Sequence, residues 1–479
     1  MKFQKIFAVL SLFSLLASCS EAIKPIDYVL NDNLTLANTD EFKEAKSLLA
    51  KGKQQFLVVP VEFKDERTFT AEDIERINKA FFEPNLSTSE GNNYYSVKEF
   101  YYQSSLGSLE IEGKVAPILK VPFTVKKMTD DGNYFPGVPA QYMMDMTYYQ
   151  DQYFQDYDQD KDGYVDAVIF VYSSETSERN GNFWAWVANF DTKPNPTRPT
   201  FFRHMWVGLD FFSKGGYQID SHTIIHETGH LLGLRDYYPN DNYNLALGGH
   251  SMMDYNISDH DPYSKMLLNW TTPTYYDYKK NRSITVTLNN FENTNQTILL
   301  STNWNNSVMD EYLLLEYYTP TRLNELDAKT QYDTRPIGFS ESGIKIYHVD
   351  SRIIKCHYSN ELYTTVFDEY VSEIPETKED GIYYVIGASN SLEDSRTDAS
   401  RNGRYKQIAL IENKEYNQLQ SGIPADNDSL FQEGDEFDST TSPFLLNNTW
   451  NKGGEISFYV KVESLNSEYA TLKIEYRGE

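Results

Sequence analysis

Cysteine is nearly absent from this chain: its 479 residues include only Cys19 and Cys356. A disulfide framework is therefore excluded as the scaffold of the fold. Basic charge is also short. Against 70 Asp and Glu stand 43 Lys and Arg, a net charge of -27, which excludes an extended phosphate-binding surface and with it a nucleic-acid partner. Beyond the N-terminus no stretch is long and apolar enough to span a bilayer. No short-period repeat is present. Hydrophobic residues make up 40% and aromatics 15%, so material for packed cores is ample and a wholly disordered chain is excluded. The length predicts two or three domains.

The N-terminus reads as an export signal. Lys2 and Lys5 precede a mainly apolar run from Ile6 to Ala17, too short for a membrane span. Leu16-Ala17-Ser18-Cys19 follows and resembles a bacterial lipoprotein signal, which implies cleavage after residue 18 and a lipid on Cys19. An ordinary cleaved signal is the alternative. Either way the protein is expected to leave the cytosol for the cell envelope. With Cys19 lipidated, Cys356 has no partner in the chain and is expected as a small core residue. Residues 19–55 are polar, with one short helix expected near Asp40 to Lys51, and read as a tether or short pro-segment.

Phe56 to Phe63 reads as a buried strand that opens a folded domain. Helical spacing covers Ala71 to Phe82 behind a Thr70 cap and Ser96 to Ser104 ahead of Gly107. Val165 to Tyr172 is a further strand. Helices are expected over Ser221 to Leu234 and Asp261 to Trp270. Past Thr272 the character changes: Ile284 to Leu288, Ile298 to Ser301, Tyr312 to Tyr317, Ile344 to Val349, Ile408 to Glu412, Ile456 to Val462 and Ala470 to Tyr476 are strand-like, separated by turn residues. The expected organisation is α+β. Residues 56–272 form one domain and residues 273–479 a β-rich region read as a sandwich, with the boundary as late as 350 an alternative.

The chemistry concentrates in His226-Glu227-Thr228-Gly229-His230, the His-Glu-x-x-His pattern of a zinc hydrolase helix. Residues four apart share a helix face, so His226 and His230 present two imidazoles on one side. At about 100° per residue, Ile224, Ile225, Thr228, Leu231 and Leu232 fall on the other side, available to a core. Glu227 is placed to act as general base on the metal's water rather than as a ligand. Catalytic zinc takes three protein ligands and leaves one position open. Gly233 can reverse the chain after the helix and swing Asp236 back as the third ligand. His250, Asp254 and His260 are the competing candidates.

This run, with the methionine turn Ser251-Met252-Met253-Asp254-Tyr255 downstream, resembles the metzincin-type zinc endopeptidases. It is more closely similar to the M6, or immune inhibitor A-like, metallopeptidases. The resemblance takes in Leu234 to Tyr238, Gly248 to Asp254, Asp259 to Lys265, Tyr101 to Gly107, Asp158 to Asp166, Glu311 to Glu316 and Gly343 to Asp350. Arg235 departs from the proline common in relatives. The resemblance implies a metzincin-like catalytic domain of twisted mixed sheet and helices, with Met253 as an apolar floor beneath the zinc. It also implies that Tyr255 stabilises the oxyanion. Protein or peptide substrates would be cleaved by water activated at the zinc, with Glu227 shuttling the proton.

A second cation is expected in Asp158-x-Asp160-x-Asp162-Gly163-x-x-Asp166, whose alternating carboxylates open a calcium loop. Ile169 stands where a full EF-hand has glutamate, and an acidic turn is the competing reading. Two other functions fit the sequence. One is a non-catalytic, zinc-stabilised surface lipoprotein that binds a glycan or protein. The other is a zinc amidase acting on cell-wall peptides. A monomer is assumed.

Overall fold

The computed structural model describes Leu34 and residues 47–84, 93–126, 154–176, 183–190, 192–214, 216–238, 245–361, 364–375, 381–386, 406–445 and 448–479. The signal segment, Cys19 and residues 40–46 of the expected N-terminal helix lie outside the described residues. Residues 47–51, the rest of that expected helix, are not helical.

The N-terminal half is built on a sheet with strand order β2-β1-β4-β6-β5. Its strands are β1 (Gly52–Glu62), β2 (Leu109–Val115), β3 (Leu119–Lys120), β4 (Val168–Tyr172), β5 (Trp186–Asn189) and β6 (Arg203–Gly208). β1, β2, β4 and β6 run parallel, β3 also pairs with β1, and β5 lies antiparallel to β6. β1 opens four residues before the expected Phe56, because Gly52 to Gln55 continue the ladder with Leu109 to Glu112. The near-continuous apolar run of β1 follows from burial on both faces. Phe56 and Val58 enter the main core, while Leu57, Val59 and Val61 enter a second cluster with Phe170, Tyr172 and Phe201.

Helices cover the main-core face. α1 (Ala71–Phe82) starts with a capping box in which the Thr70 side chain accepts from the Asp73 N–H. α2 (Val97–Ser104) is capped by Ser96, and Gly107 takes φ 79 beyond its end. α3 (His222–Leu231) is the motif helix; it is shorter than the expected 221–234 because Gly233 takes φ 94. The backbone N–H groups of Ser47 and Leu48 both donate to the Leu231 carbonyl at 3.1 Å, so the segment before β1 ties down the C-terminal end of this helix. Next come α4 (Met252–Tyr255) and α5 (Pro262–Leu267), the latter capped by Asp261 with proline in its first turn.

The second half carries β7 (Thr274–Tyr275), β8 (Ser283–Asn289), α6 (Phe291–Thr294), β9 (Ile298–Leu300), β10 (Glu311–Tyr318), α7 (Glu325–Lys329) and β11 (Gly343–Asp350). β12 (Ile353–Ser359), β13 (Thr364–Val371), β14 (Ile382–Val385), β15 (Ile408–Ile411), β16 (Glu436–Asp438), β17 (Phe458–Leu465) and β18 (Tyr469–Tyr476) follow. One sheet has the order β15-β11-β10-β9-β7 and another the order β16-β17-β18-β8. Each stretch expected to be a strand past Thr272 is one, within a few residues at its ends. β12, β13 and β14 form a separate three-stranded sheet that the sequence reading did not anticipate. Cys356 is fully buried there on β12, as expected.

The period-2 alternation of β10 explains how the halves join. Leu313, Leu315 and Tyr317 face a cluster shared with Val286, Phe458, Val460 and Leu472 of the four-stranded sheet. Tyr312, Leu314 and Tyr318 face the opposite way, into the main core with Met253, Tyr263 and Ile225. The fold is α+β with mixed sheets, and the central sheet of the second half lends one face to the core under the motif helix. Among the described residues no helix is long and apolar enough to cross a membrane.

Candidate metal centre

α3 has one face in the core: Ile224, Ile225, Thr228, Leu231 and Leu232 are all buried. His226 and His230 project from the other face, with ring centroids 4.9 Å apart and planes nearly perpendicular. Backbone carbonyls fix their tautomers. His226 Nδ1 lies 2.8 Å from the Met252 carbonyl, and His230 Nδ1 lies 2.9 Å from the Leu234 carbonyl. A carbonyl only accepts, so each Nδ1 carries hydrogen and donates. Each Nε2 is left as the nitrogen whose lone pair can bind a metal.

Both Nε2 atoms converge on one oxygen. Asp236 Oδ1 is 2.9 Å from His226 Nε2 and 3.2 Å from His230 Nε2. Gly233 makes this approach possible, since its left-handed φ of 94 ends the helix and turns the chain back. The Tyr237 N–H then donates to the Met253 carbonyl at 2.8 Å, which locks the returning strand of chain onto the methionine turn. The three ligand atoms lie within 4.8 Å of one another.

The electrostatics match a cation site. Burial would lower the His230 pKa, but the Asp236 carboxylate outweighs it and raises the imidazole to about 9. Burial would likewise raise Asp236, yet the charge of His230 and the hydrogen bonds from both imidazoles hold it well below the usual carboxylate range. Glu227 is buried, and that burial raises its pKa against the pull of His230, His226 and Arg203.

Met253 is fully buried, and its sulfur occupies the space that a Cβ on Gly229 would need. Gly229 sits about 60° around the helix from His226, so the thioether lies along the border of the histidine face. The Tyr238 ring lies 6.1 Å from that of His226, and the Tyr255 ring lies 6.4 Å from that of Tyr238.

The competing third ligands are elsewhere. His250 stacks on Phe339 at 3.8 Å, and its Nε2 bonds the Ala425 carbonyl at 2.9 Å. Asp254 accepts from the Gly249 N–H at 2.7 Å. His260 is buried among Phe100, Tyr101 and Trp270. None of the three joins the metal group.

Two contributors had not been singled out from the sequence. Tyr238 follows Asp236 in the Leu234 to Tyr238 stretch, and its ring packs beside His226. Arg203, on β6, reaches across to donate from Nη2 to the His230 carbonyl at 3.3 Å, and burial lowers its pKa to about 10 while Glu227 opposes that shift. No spacing in the sequence links it to the motif.

In the acidic loop, Asp158, Asp160 and Asp166 offer oxygens within 4.8 Å of one another, and Asp162 stays outside that group. The reason is local: Asp162 Oδ1 accepts from the Tyr164 N–H at 2.8 Å in a turn of its own. Burial raises Asp166 to about 8.

No protein-family model matches this chain, and no curated protein matches it either.

Proposed function

We propose that the protein is a zinc-dependent endopeptidase of the metzincin type, resembling the M6 metallopeptidases. The observation that carries this reading is the convergence of two tautomer-fixed imidazole nitrogens on Asp236 Oδ1, at 2.9 and 3.2 Å, beside the buried Glu227. Two neutral nitrogens and one carboxylate are a suitable donor set for catalytic zinc, leaving a coordination position for chemistry. Bound there, zinc supplies Lewis acidity to water and to a scissile carbonyl.

The chain's own residues do the rest. Glu227 takes the proton of the attacking water and returns it to the leaving amine. Its burial makes it a better proton acceptor than an exposed carboxylate, while the nearby positive groups keep the anion accessible. Arg203 holds the His230 backbone from the sheet side. β5 pairs only with β6 among the described residues, so its outer edge can take an extended peptide by backbone hydrogen bonds.

The finer architecture belongs to the same reading. The parallel sheet with an antiparallel edge strand and the motif helix supports a metzincin-like domain. The cluster shared by the five-stranded and four-stranded sheets supports a sandwich in the second half. The N-terminal sequence supports export and a lipid anchor on Cys19. The Asp158, Asp160 and Asp166 oxygens suit a hard cation such as calcium, which would let Asp166 ionise in its buried position.

Metal analysis and casein cleavage test the proposal together. Purified full-length protein is expected to carry about one zinc per chain, as one three-ligand site requires. It is also expected to lose cleavage with a chelator and regain it with added zinc. A metal-free protein that cleaves casein regardless of chelator overturns the reading.

A further inference from the structure

The stretch between α7 and β11 returns from the second half to the methionine turn. Its beginning is pinned to the motif helix. His222, the first residue of α3, is fully buried between the rings of Tyr94 at 3.4 Å and Tyr332 at 3.8 Å. Its Nδ1 faces Asp220 Oδ1 at 2.7 Å, and its Nε2 faces Asp327 Oδ1 at 3.2 Å. The Tyr332 hydroxyl donates to Asp220 Oδ2 at 3.1 Å, and that of Tyr94 donates to Asp327 Oδ2 at 3.0 Å. Further on, Pro336 packs on Gly249, where a Cβ would overlap its ring.

Between these anchors stands Arg335. Its guanidinium lies 5.1 Å from the centroid of the Tyr255 ring. Its backbone is committed: the N–H donates to the Tyr332 carbonyl at 2.8 Å, and its carbonyl accepts from Gln331 Nε2 at 2.7 Å. Its charge is felt by the buried Asp254, but Arg335 forms no ion pair among the described residues. Rings bridge it to the metal group, from Tyr255 to Tyr238 at 6.4 Å and from Tyr238 to His226 at 6.1 Å. That path is within the span of roughly five extended peptide residues.

We propose that Arg335 is a specificity-determining residue that binds a carboxylate of the substrate peptide. A guanidinium matches a carboxylate with two parallel N–H donors, and this one is presented on a loop already fixed at both ends. The carboxylate is an acidic side chain or the chain terminus. The inference rests on the peptidase reading and assigns the second half a part in substrate selection.

The test uses full-length zinc-loaded protein and fluorogenic peptides. They carry Glu, Gln or Lys at each of three positions on either side of the cleaved bond, with a free or an amidated C-terminus. The wild type is expected to favour one carboxylate-bearing set over its neutral counterpart roughly five- to tenfold, with the preference shrinking in high salt. Arg335→Ala should bring the ratio near one, and Arg335→Glu should turn it towards Lys. A side-chain source shows in the Glu series and a terminal source in the free-against-amidated pair. A wild-type ratio near one, or a ratio unchanged in Arg335→Ala, overturns the proposal and shows that the arginine merely stacks on Tyr255. Fluorescence anisotropy of the same peptides on Glu227→Gln separates this from failure of the catalytic reading. Carboxylate-dependent binding that Arg335→Ala abolishes upholds the site even if no peptide is cleaved. Equal binding of charged and neutral peptides overturns it.

Discussion

Glu227 has no hydrogen-bonding duty among the described residues that a glutamine could not fill, so its carboxylate is the place to separate chemistry from structure. Glu227→Gln is expected to lower kcat on casein by about 100-fold or more, the usual scale of a lost general base. Bound zinc should stay near one per chain, and the thermal midpoint should hold. Asp236→Ala should behave differently. It removes the oxygen on which both imidazoles converge, so zinc content after dialysis should fall along with activity. If Asp236→Ala retained full zinc and full activity, the third ligand would lie elsewhere.

At the scale of the element, α3 is held by three devices: a packed glycine, a reversing glycine and a buried charge. Gly229→Ala places a methyl group against the Met253 sulfur, so a loss of about 1–3 kcal/mol is expected in chemical denaturation. Retention of wild-type stability would show that the methionine turn yields freely. His222 provides a pH signature. Burial would lower its pKa, but Asp220 and Asp327 raise it to about 9 in the fold, above the ordinary 6.5. Its stabilisation is therefore complete below pH 6.5 and is lost as pH rises through 9. Relative to His222→Gln, the wild type should hold an advantage at pH 6 that shrinks by about 3 kcal/mol at pH 10. Urea midpoints across that range measure it, and a pH-independent difference would mean that the imidazole is neutral.

For the whole molecule, the decisive feature is the shared core. Ile225, Met253 and Tyr263 of the first half are in one cluster with Tyr312, Leu314, Tyr318, Tyr347 and Val349 of the second. A fragment ending at residue 272 would expose that face of the core. It is expected to be insoluble or molten, with lost near-ultraviolet circular dichroism and weak zinc retention. A soluble, cooperatively unfolding fragment 56–272 would show that the second half is dispensable for the fold.

Much of the local structure was legible because its causes are local. Thr70 and Ser96 cap helices through bonds to N–H groups three residues away, and the spacing of His226 and His230 follows from helix pitch alone. The sequence by itself therefore determined the motif helix, the placing of Glu227 beside its two histidines and the strand-rich second half. Tertiary structure alone decided which carboxylate met the two imidazoles. Asp236, Asp254, His250 and His260 carry comparable chemistry, and only the path of the chain after Gly233 separates them. It also decided that Tyr238 packs beside His226, that Arg203 reaches His230 from β6, and that Asp327 reaches His222 across 105 residues. Those contacts depend on sheet order and on which face of a strand meets the core, and neither leaves a periodic trace in the residues themselves.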